Sequence, residues 1–465
     1  MTSGLSNGVP GTVATWSSAL SQWGTLSLTE ALLPARRVAS NGFVVDQTFY
    51  DQTASNADRF KDFPATKALF LPNGAPPAVG SVLRNPDLAD TYRILAQQGT
   101  GAMYGGEIGR DIRDTTRNPP VDPAATRTVR PGLMTLADLR AYRAPNRAPT
   151  RVVYRGLGVY GMAPPSSGGS TVGEALNILE NFKLRGMTDV QFYHHFLEST
   201  RHAFADRNRY VGDPAYAKVP LKELLSDGFA RERACLIDPA HAATSPVAPG
   251  SPDGSYDACT IQGTPRPEGN EGKSTTNLTV ADKWGNVVEY TLTIEQTGGS
   301  GITVPGRGFL LNNELTDFNF GPPPPGTVDP NLPAAGKRPR SSMSPTIVLR
   351  NGKPFLAVGS PGGATIITTV LQILIERLDR GRTLPKAITA PRASQRNAST
   401  TQAERAFIDS YGTALQALGH SFALPAPPGE LGAATGIEFL KDGGLLAVAE
   451  PSRRGGGAAG VVDPG

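Results

Sequence analysis

The run Ser274-Thr275-Thr276-Asn277 places hydroxyls where a Pro- and Gly-rich stretch gives way to a strand pattern. Adjacent threonines are ordinary strand residues, and taken alone they carry no chemistry. Their position suggests one. A threonine hydroxyl is a poor nucleophile without a base, and cutting the chain just before it turns its own α-amine into that base. An α-amine titrates near neutrality, which suits the task.

Three further segments offer what such a nucleophile needs. Residues 310–318, Leu-Leu-Asn-Asn-Glu-Leu-Thr-Asp-Phe, end an apolar run in amides and acids. Within them Asp317 is a carboxylate suited to a cationic group such as a substrate α-ammonium. Residues 338–345 contain Ser341 and Ser342, whose hydroxyls, with nearby backbone N–H groups, can grip a carboxylate. Gly359-Ser360-Pro361-Gly362-Gly363 runs straight into an apolar helix pattern. Glycines at a helix N-terminus let N–H groups approach an anion closely, which is how an oxyanion hole is built. Singly, the three read as a strand end, a turn and a loop feeding a helix.

The elements that must position these residues change character along the chain. Up to about residue 229 the apolar spacing is mainly helical, as in Val172, Leu176 and Leu179 and again in Phe192, Phe196 and Phe204. Residues 238–273 are rich in Pro, Gly, Ser and Asp and lose that periodicity, as expected of an exposed, flexible segment. From residue 275 strands take over: Leu278 and Val280 alternate before a turn, and Val288, Tyr290, Leu292 and Ile294 after it. Asp282, Lys283, Trp284 and Gly285 suit a type I turn followed by a left-handed glycine, which pairs Asp282 with Asn286. In that register Thr275 faces Thr293. A second Pro-rich stretch, residues 321–339, reads as a linker or surface lid, and the Gly-rich tail beyond Arg453 as frayed.

Several function classes are excluded. The chain of 465 residues balances 45 Lys plus Arg against 41 Asp plus Glu, and no window forms a basic stripe, so nucleic acid is not a partner. There is no Walker loop, dinucleotide fingerprint or Gly-x-Ser-x-Gly elbow. None of the five histidines is spaced as a metal pair, so neither a metal nor a cofactor is expected. Cys235 and Cys259 either form one disulfide or are two buried thiols. The most apolar segment, residues 365–378, contains Gln372, Glu376 and Arg377 and is too short to span a membrane. A chain this long forms two domains or one large layered domain.

Read in order, the four segments resemble the small-subunit motifs of γ-glutamyltranspeptidases. The resemblance extends upstream through Val9-Pro10-Gly11-Thr12, Pro164-Pro165-Ser166-Ser167-Gly168-Gly169 and Tyr210-Val211-Gly212-Asp213-Pro214, so it covers nearly the whole chain. It implies an α+β N-terminal-nucleophile hydrolase of four layers, αββα, with two stacked antiparallel sheets between helical layers. It also implies one precursor that cuts itself between Ser274 and Thr275 into a helix-rich part, residues 1–274, and a part beginning at the nucleophile, residues 275–465, the two intertwined in one globular unit. By the same resemblance Thr275 is the nucleophile and Thr293 its partner threonine. Glu295, where some members have Asn, and Asp317 hold the glutamyl α-ammonium, Ser341 and Ser342 the α-carboxylate, and Gly362 and Gly363 the oxyanion. The implied substrates are glutathione and other γ-glutamyl compounds, with water, amino acids or peptides as acceptors, in a periplasmic or extracellular setting.

Two departures stand out. Asn277 occupies the position of the family's usual His after the two threonines. Family members also begin with a signal peptide and a segment ending in Asp-x-Arg-Glu whose Arg grips the substrate carboxylate; no signal peptide is visible in the first twenty residues or so, and no Arg here matches that position, so an N-terminally truncated chain is expected. The alternatives are a cephalosporin or glutaryl acylase of the same superfamily, or an inactive truncated fragment.

Overall fold

The structure, a computed structural model, describes residues 1–256, 259, 264, 274–323, 325–426 and 429–462. Most of the second half of the expected flexible segment at 238–273, and the last residues of the tail, lie outside the described residues. The chain divides into two compact units, Met1–Asn146 with Thr293–Thr316, and Arg147–Leu292 with Asp317–Gly465. Each unit draws on residues from both sides of position 275.

The first unit is helical. Its main helices are α1 (Thr12–Trp23), α2 (Leu28–Asn41), α3 (Gln47–Phe60), α4 (Pro86–Gln98) and α5 (Glu107–Arg117). Their starts are chemically marked: Ser27 and Glu30 form a capping box, Asp46 caps α3, and Asn85 caps α4 ahead of a proline at its first position. Ile94, Leu95, Ile108 and Ile112 bury their side chains with Ile302, Val304 and Leu311 from the inserted segment 293–316. That segment is pinned by Thr66, whose hydroxyl donates to the Gly301 carbonyl at 2.9 Å, and by Arg59, which donates to Gly299 O at 2.6 Å and also to Thr297 O. Arg307 closes it, 2.7 Å from Asp111 and 2.9 Å from Glu107.

The second unit is built on a six-stranded antiparallel sheet. Its strands are β1 (Thr150–Tyr154), β2 (Leu157–Gly161), β5 (Thr346–Arg350), β6 (Lys353–Gly359), β7 (Thr435–Phe439) and β8 (Leu445–Ala449), in the order β8-β7-β6-β5-β2-β1. Between β2 and β5 in sequence lies the separate hairpin β3 (Thr276–Ala281) and β4 (Val287–Leu292). Helices α6 (Gly168–Glu180), α7 (Asp189–Tyr210), α8 (Asp227–Cys235) and α9 (Thr365–Leu378) complete the unit. Val172 and Leu176 of α6 and Ile367, Val370, Leu371 and Leu374 of α9 pack with Val152, Val159, Val348, Leu356 and Val358 of the sheet. Close packing of α6 requires glycine: a Cβ on Gly161 would stand 2.7 Å from Gly169 Cα. β1 and β2 fall in the half whose spacing reads as helical; both are five residues long, too short to register against the helices around them.

The hairpin has the expected register. Thr276 faces Leu292 and Ala281 faces Val287, the Asp282 N–H donates to Asn286 O at 3.1 Å, and Gly285 adopts φ 90°. Its residues alternate. Leu278, Val280 and Val288 point outward and are about half exposed. Asn277 and Thr279 point inward and reach the Thr435 hydroxyl at 2.9 and 3.0 Å. Helix, sheet and hairpin thus stack in this unit, which among the described residues also holds a small three-stranded sheet of Ala393–Ser394, Thr401–Ala403 and Phe422–Ala423. Cys235 and Cys259 form a disulfide with Cα atoms 5.1 Å apart, which decides between the two alternatives.

Candidate active site

Three strand ends of the second unit meet at one edge. Thr346, the first residue of β5, faces Val358 of β6, and Gly359, the last residue of β6, faces Thr435, the first of β7. The inner face of the hairpin covers this edge so closely that a Cβ on Gly359 would lie 2.7 Å from Asn277 Nδ2. The segment entering β5 carries Ser341 and Ser342, and the loop leaving β6 carries Gly362 and Gly363. The strand that Thr275 precedes, the serine pair and the glycine loop are therefore brought to the same end of the sheet.

Thr275 precedes β3 on the inward side of the alternation, half-buried, and its hydroxyl donates to the Ser274 carbonyl oxygen at 2.6 Å. Behind it lies a half-buried polar hub. Asn277 Nδ2 donates to Glu289 at 2.7 Å and to Thr435, while Asn277 Oδ1 accepts from the Thr291 hydroxyl at 2.7 Å. Burial pushes the Glu289 carboxyl up to about 8, against the hydrogen bond from Asn277.

Gly362 and Gly363 both have positive φ, 143° and 60°, a conformation that favours glycine at the start of α9. Among the described residues neither of their N–H groups donates to a backbone carbonyl, and both glycines lie just ahead of the α9 N-terminus. Ser341 and Ser342 are anchored from below. Ser341 N donates to Pro165 O at 3.2 Å and its carbonyl accepts from both Ser167 N and Ser167 Oγ at 2.7 Å. Ser342, only 5% exposed, accepts a hydrogen bond from Arg207 Nη2 at 2.8 Å. Asp317 is half-buried, and its carbonyl accepts from Asn331 Nδ2 at 2.7 Å; Asn331 Oδ1 in turn accepts from Arg340 N at 2.8 Å, next to Ser341.

Thr293 and Glu295 belong to the first unit. The Thr293 hydroxyl accepts from Glu295 N at 2.9 Å. Glu295 is 4% exposed, adopts φ 77° and is held by the side-chain amide of Asn313. Burial pushes its carboxyl up to about 7, opposed by the bonds from Asn313 and Thr316 and by Arg59. Glu314 nearby is raised as well, first by burial and then by Glu295 itself. No helix among the described residues is long and apolar enough to cross a membrane, and no cluster of side chains among them could hold a metal ion.

Arg207, Ser167, Glu289 and Asn313 were not singled out from sequence as parts of the site. Ser167 lies in a quoted motif that had no role attached. Arg207 had one available signal: it is a charged residue in a helix whose other buried positions run all the way round.

Helices, a six-stranded antiparallel sheet and a hairpin carrying a hydroxyl at its first residue form the α+β architecture of the N-terminal-nucleophile hydrolases. Among solved structures, a cephalosporin acylase from Bacillus halodurans superposes with a TM-score of 0.84 at 28% identity, covering 99% of this chain and 79% of that one. The Gamma-glutamyltranspeptidase family model matches residues 1–461, and the chain belongs to that family. It is 36% identical over 468 residues to a glutathione hydrolase proenzyme of Bacillus subtilis, covering 99% of this chain and 76% of the relative, and 35% identical over 461 residues to that of Escherichia coli, covering 97% and 74%. An acylase ACY 1 proenzyme of a Pseudomonas strain is 33% identical over 443 residues, covering 95% and 73%.

Proposed function

We propose that this protein cuts itself before Thr275 and then cleaves γ-glutamyl amides such as glutathione, passing the glutamyl group to water or to an amino acid or peptide. The observation that carries the reading is the Thr275 hydroxyl lying 2.6 Å from the oxygen of the carbonyl it must attack. In self-cleavage Thr275 Oγ bonds to the Ser274 carbonyl carbon, the peptide nitrogen leaves as the α-amine of Thr275, and water hydrolyses the resulting ester to a Ser274 carboxylate. In turnover the same oxygen attacks the γ-carbonyl carbon. The α-amine takes the hydroxyl proton and hands it to the leaving amine, and the acceptor then displaces threonine from the γ-glutamyl ester. Gly362 and Gly363 N–H groups receive the oxyanion.

Asp317 pairs with the substrate α-ammonium, and Ser341 and Ser342 with its α-carboxylate. The roles of Thr293, as the threonine that positions the nucleophile, and of Glu295, as a second partner of the ammonium, rest on the sequence resemblance. The two parts are residues 1–274 and 275–465, subunits of one precursor. The Cys235–Cys259 disulfide supports a periplasmic or extracellular setting, since such bridges persist in oxidising compartments.

A second reading, a cephalosporin or glutaryl acylase, is favoured by the two acylases among the similar proteins. A pair of chromogenic anilides separates the two. Faster release from γ-glutamyl anilide than from glutaryl anilide, which lacks the ammonium, supports the glutamyl reading; the reverse preference supports the acylase, and no turnover of either removes both.

A further inference from the structure

Asn331 lies in the second Pro-rich stretch, which reads from sequence as a linker or surface lid, yet it is fully buried. Its side chain joins two separate segments of the site. The amide Nδ2 donates to the Asp317 carbonyl at 2.7 Å, and Oδ1 accepts from the Arg340 N–H at 2.8 Å. Its backbone is tied as well: the N–H donates to Asp329 Oδ1 at 2.8 Å and the carbonyl accepts from Asn319 N at 2.9 Å, while Asn319 Nδ2 donates to Asp329 Oδ2 at 2.9 Å. The stretch is docked on either side of this knot. Arg209 of α7 donates to Val328 O at 3.2 Å, the Tyr216 hydroxyl to Ala335 O at 2.8 Å, and the Arg338 N–H to Asp213 Oδ2 at 2.9 Å. What looks like a connector therefore carries a braced spacer.

We propose that Asn331 is a positioning residue that sets the separation between Asp317 and Ser341, and through it selects donors that carry both an α-ammonium and an α-carboxylate. The inference rests on the glutamyl reading of the site. A backbone carbonyl only accepts and a backbone N–H only donates, so a neutral amide is the side chain of this size that completes both bonds. An ionised carboxylate in its place would set one acceptor against the Asp317 carbonyl, and an apolar side chain would leave a buried carbonyl and a buried N–H unpaired. Both bonds go to main chain, so they fix where the two segments lie without engaging the side chains of Asp317 or Ser341. A donor with one charge meets one segment and is indifferent to the distance between them. A glutamyl group carries its two charges on one carbon, so it gains both contacts only when the segments stand at the matching separation.

Three anilides read the spacing: γ-glutamyl, with both charges, glutaryl, without the ammonium, and 4-aminobutanoyl, without the α-carboxylate. Asn331→Ala is expected to raise KM for the glutamyl donor about tenfold, the scale of one lost hydrogen bond to a charged group, and to change KM for each single-charge donor by less than about twofold. Equal loss on all three donors marks a general structural defect and overturns the proposal. So does a loss shared by the glutamyl donor and one other, which would place the effect on one segment and not on the spacing. If the wild type turns over a single-charge donor too slowly to compare, the preference for L- over D-γ-glutamyl anilide is read instead, since the enantiomers carry the same groups in different arrangement. That preference is expected to fall about tenfold, and an unchanged one overturns the proposal. Should Asn331→Ala not fold or not process, Asn319→Ala decides. It loosens the Asp329 brace with the Asn331 amide in place, and a few-fold rise in KM confined to the glutamyl donor is expected; an unchanged KM, or an equal rise on all three donors, overturns the proposal. Wild-type protein that does not turn over the glutamyl donor, or that prefers the glutaryl one, defeats the glutamyl reading itself, whereas a wild type that prefers the glutamyl donor and an Asn331→Ala variant that keeps the full preference defeat only the role of Asn331.

Discussion

The strand that carries the proposed nucleophile and the serine segment present their hydroxyls in opposite ways. Thr275 opens a two-stranded ribbon whose outer residues, Leu278, Val280 and Val288, are about half exposed, and its hydroxyl is bonded to the carbonyl of the residue beside it. Ser342 is nearly sealed off and is held by an arginine from a helix 135 positions away in sequence. On the proposed roles, the group that would form and break covalent bonds is placed by local geometry. The group that would only bind is held by a long-range contact from another element. The difference separates what chemistry requires from what recognition requires.

The largest effect expected is at the reactive end. Thr275→Ala should remain a single chain on denaturing electrophoresis and release no anilide, because it removes the hydroxyl while the hairpin register that places it stays intact. Partial turnover by this variant would assign the nucleophile elsewhere. On the recognition side, Asp317→Ala should raise KM for a glutamyl donor by an amount equivalent to about 2–5 kcal/mol of binding, the scale of a truncated buried charge pair. A glutaryl donor should lose little, and equal loss on both donors would remove the role assigned to Asp317.

The contrast also explains how much could be read in advance. The hairpin was legible because its signals are local: Asp282 and Gly285 set the turn, and alternation sets the face. The observed pairing runs from Thr276–Leu292 at the open end to Ala281–Val287 at the turn. The serine pair was legible only as a resemblance, since what fixes it comes from Ser167 and Arg207, and no local pattern links positions so far apart. β1 and β2 were hidden by their brevity among helices. The Cys235–Cys259 bridge was open because sequence spacing of 24 residues does not say whether two chain segments come within reach.

A smaller effect sharpens the account of the hub behind Thr275. Glu289 has its carboxyl raised to about 8 by burial, while in the unfolded chain it ionises near its ordinary value. As pH rises between those values the unfolded state releases a proton that the folded state retains, so stability from this group is complete at acid pH and lost as pH rises through the folded value. Between about pH 6 and about pH 8 the loss should be about 2–3 kcal/mol. Thermal unfolding across that range should show Glu289→Gln losing less than the wild type, and parallel curves would remove Glu289 as the cause.

A pH effect of opposite sign is expected at Glu295, whose carboxyl burial holds near about 7. Its ionised form is the one that attracts an ammonium, so KM for a glutamyl donor should fall as pH rises through that value, and Glu295→Gln should flatten the profile.

The central claim is that Thr275 becomes the first residue of a new chain, and the most direct measurement is the intact mass and N-terminal sequence of both products of the purified protein. The account predicts two chains, one ending at Ser274 and one beginning Thr275-Thr276-Asn277, with γ-glutamyl turnover appearing as the precursor disappears. A precursor that turns over substrate uncut, or a second chain beginning at any other residue, would contradict it.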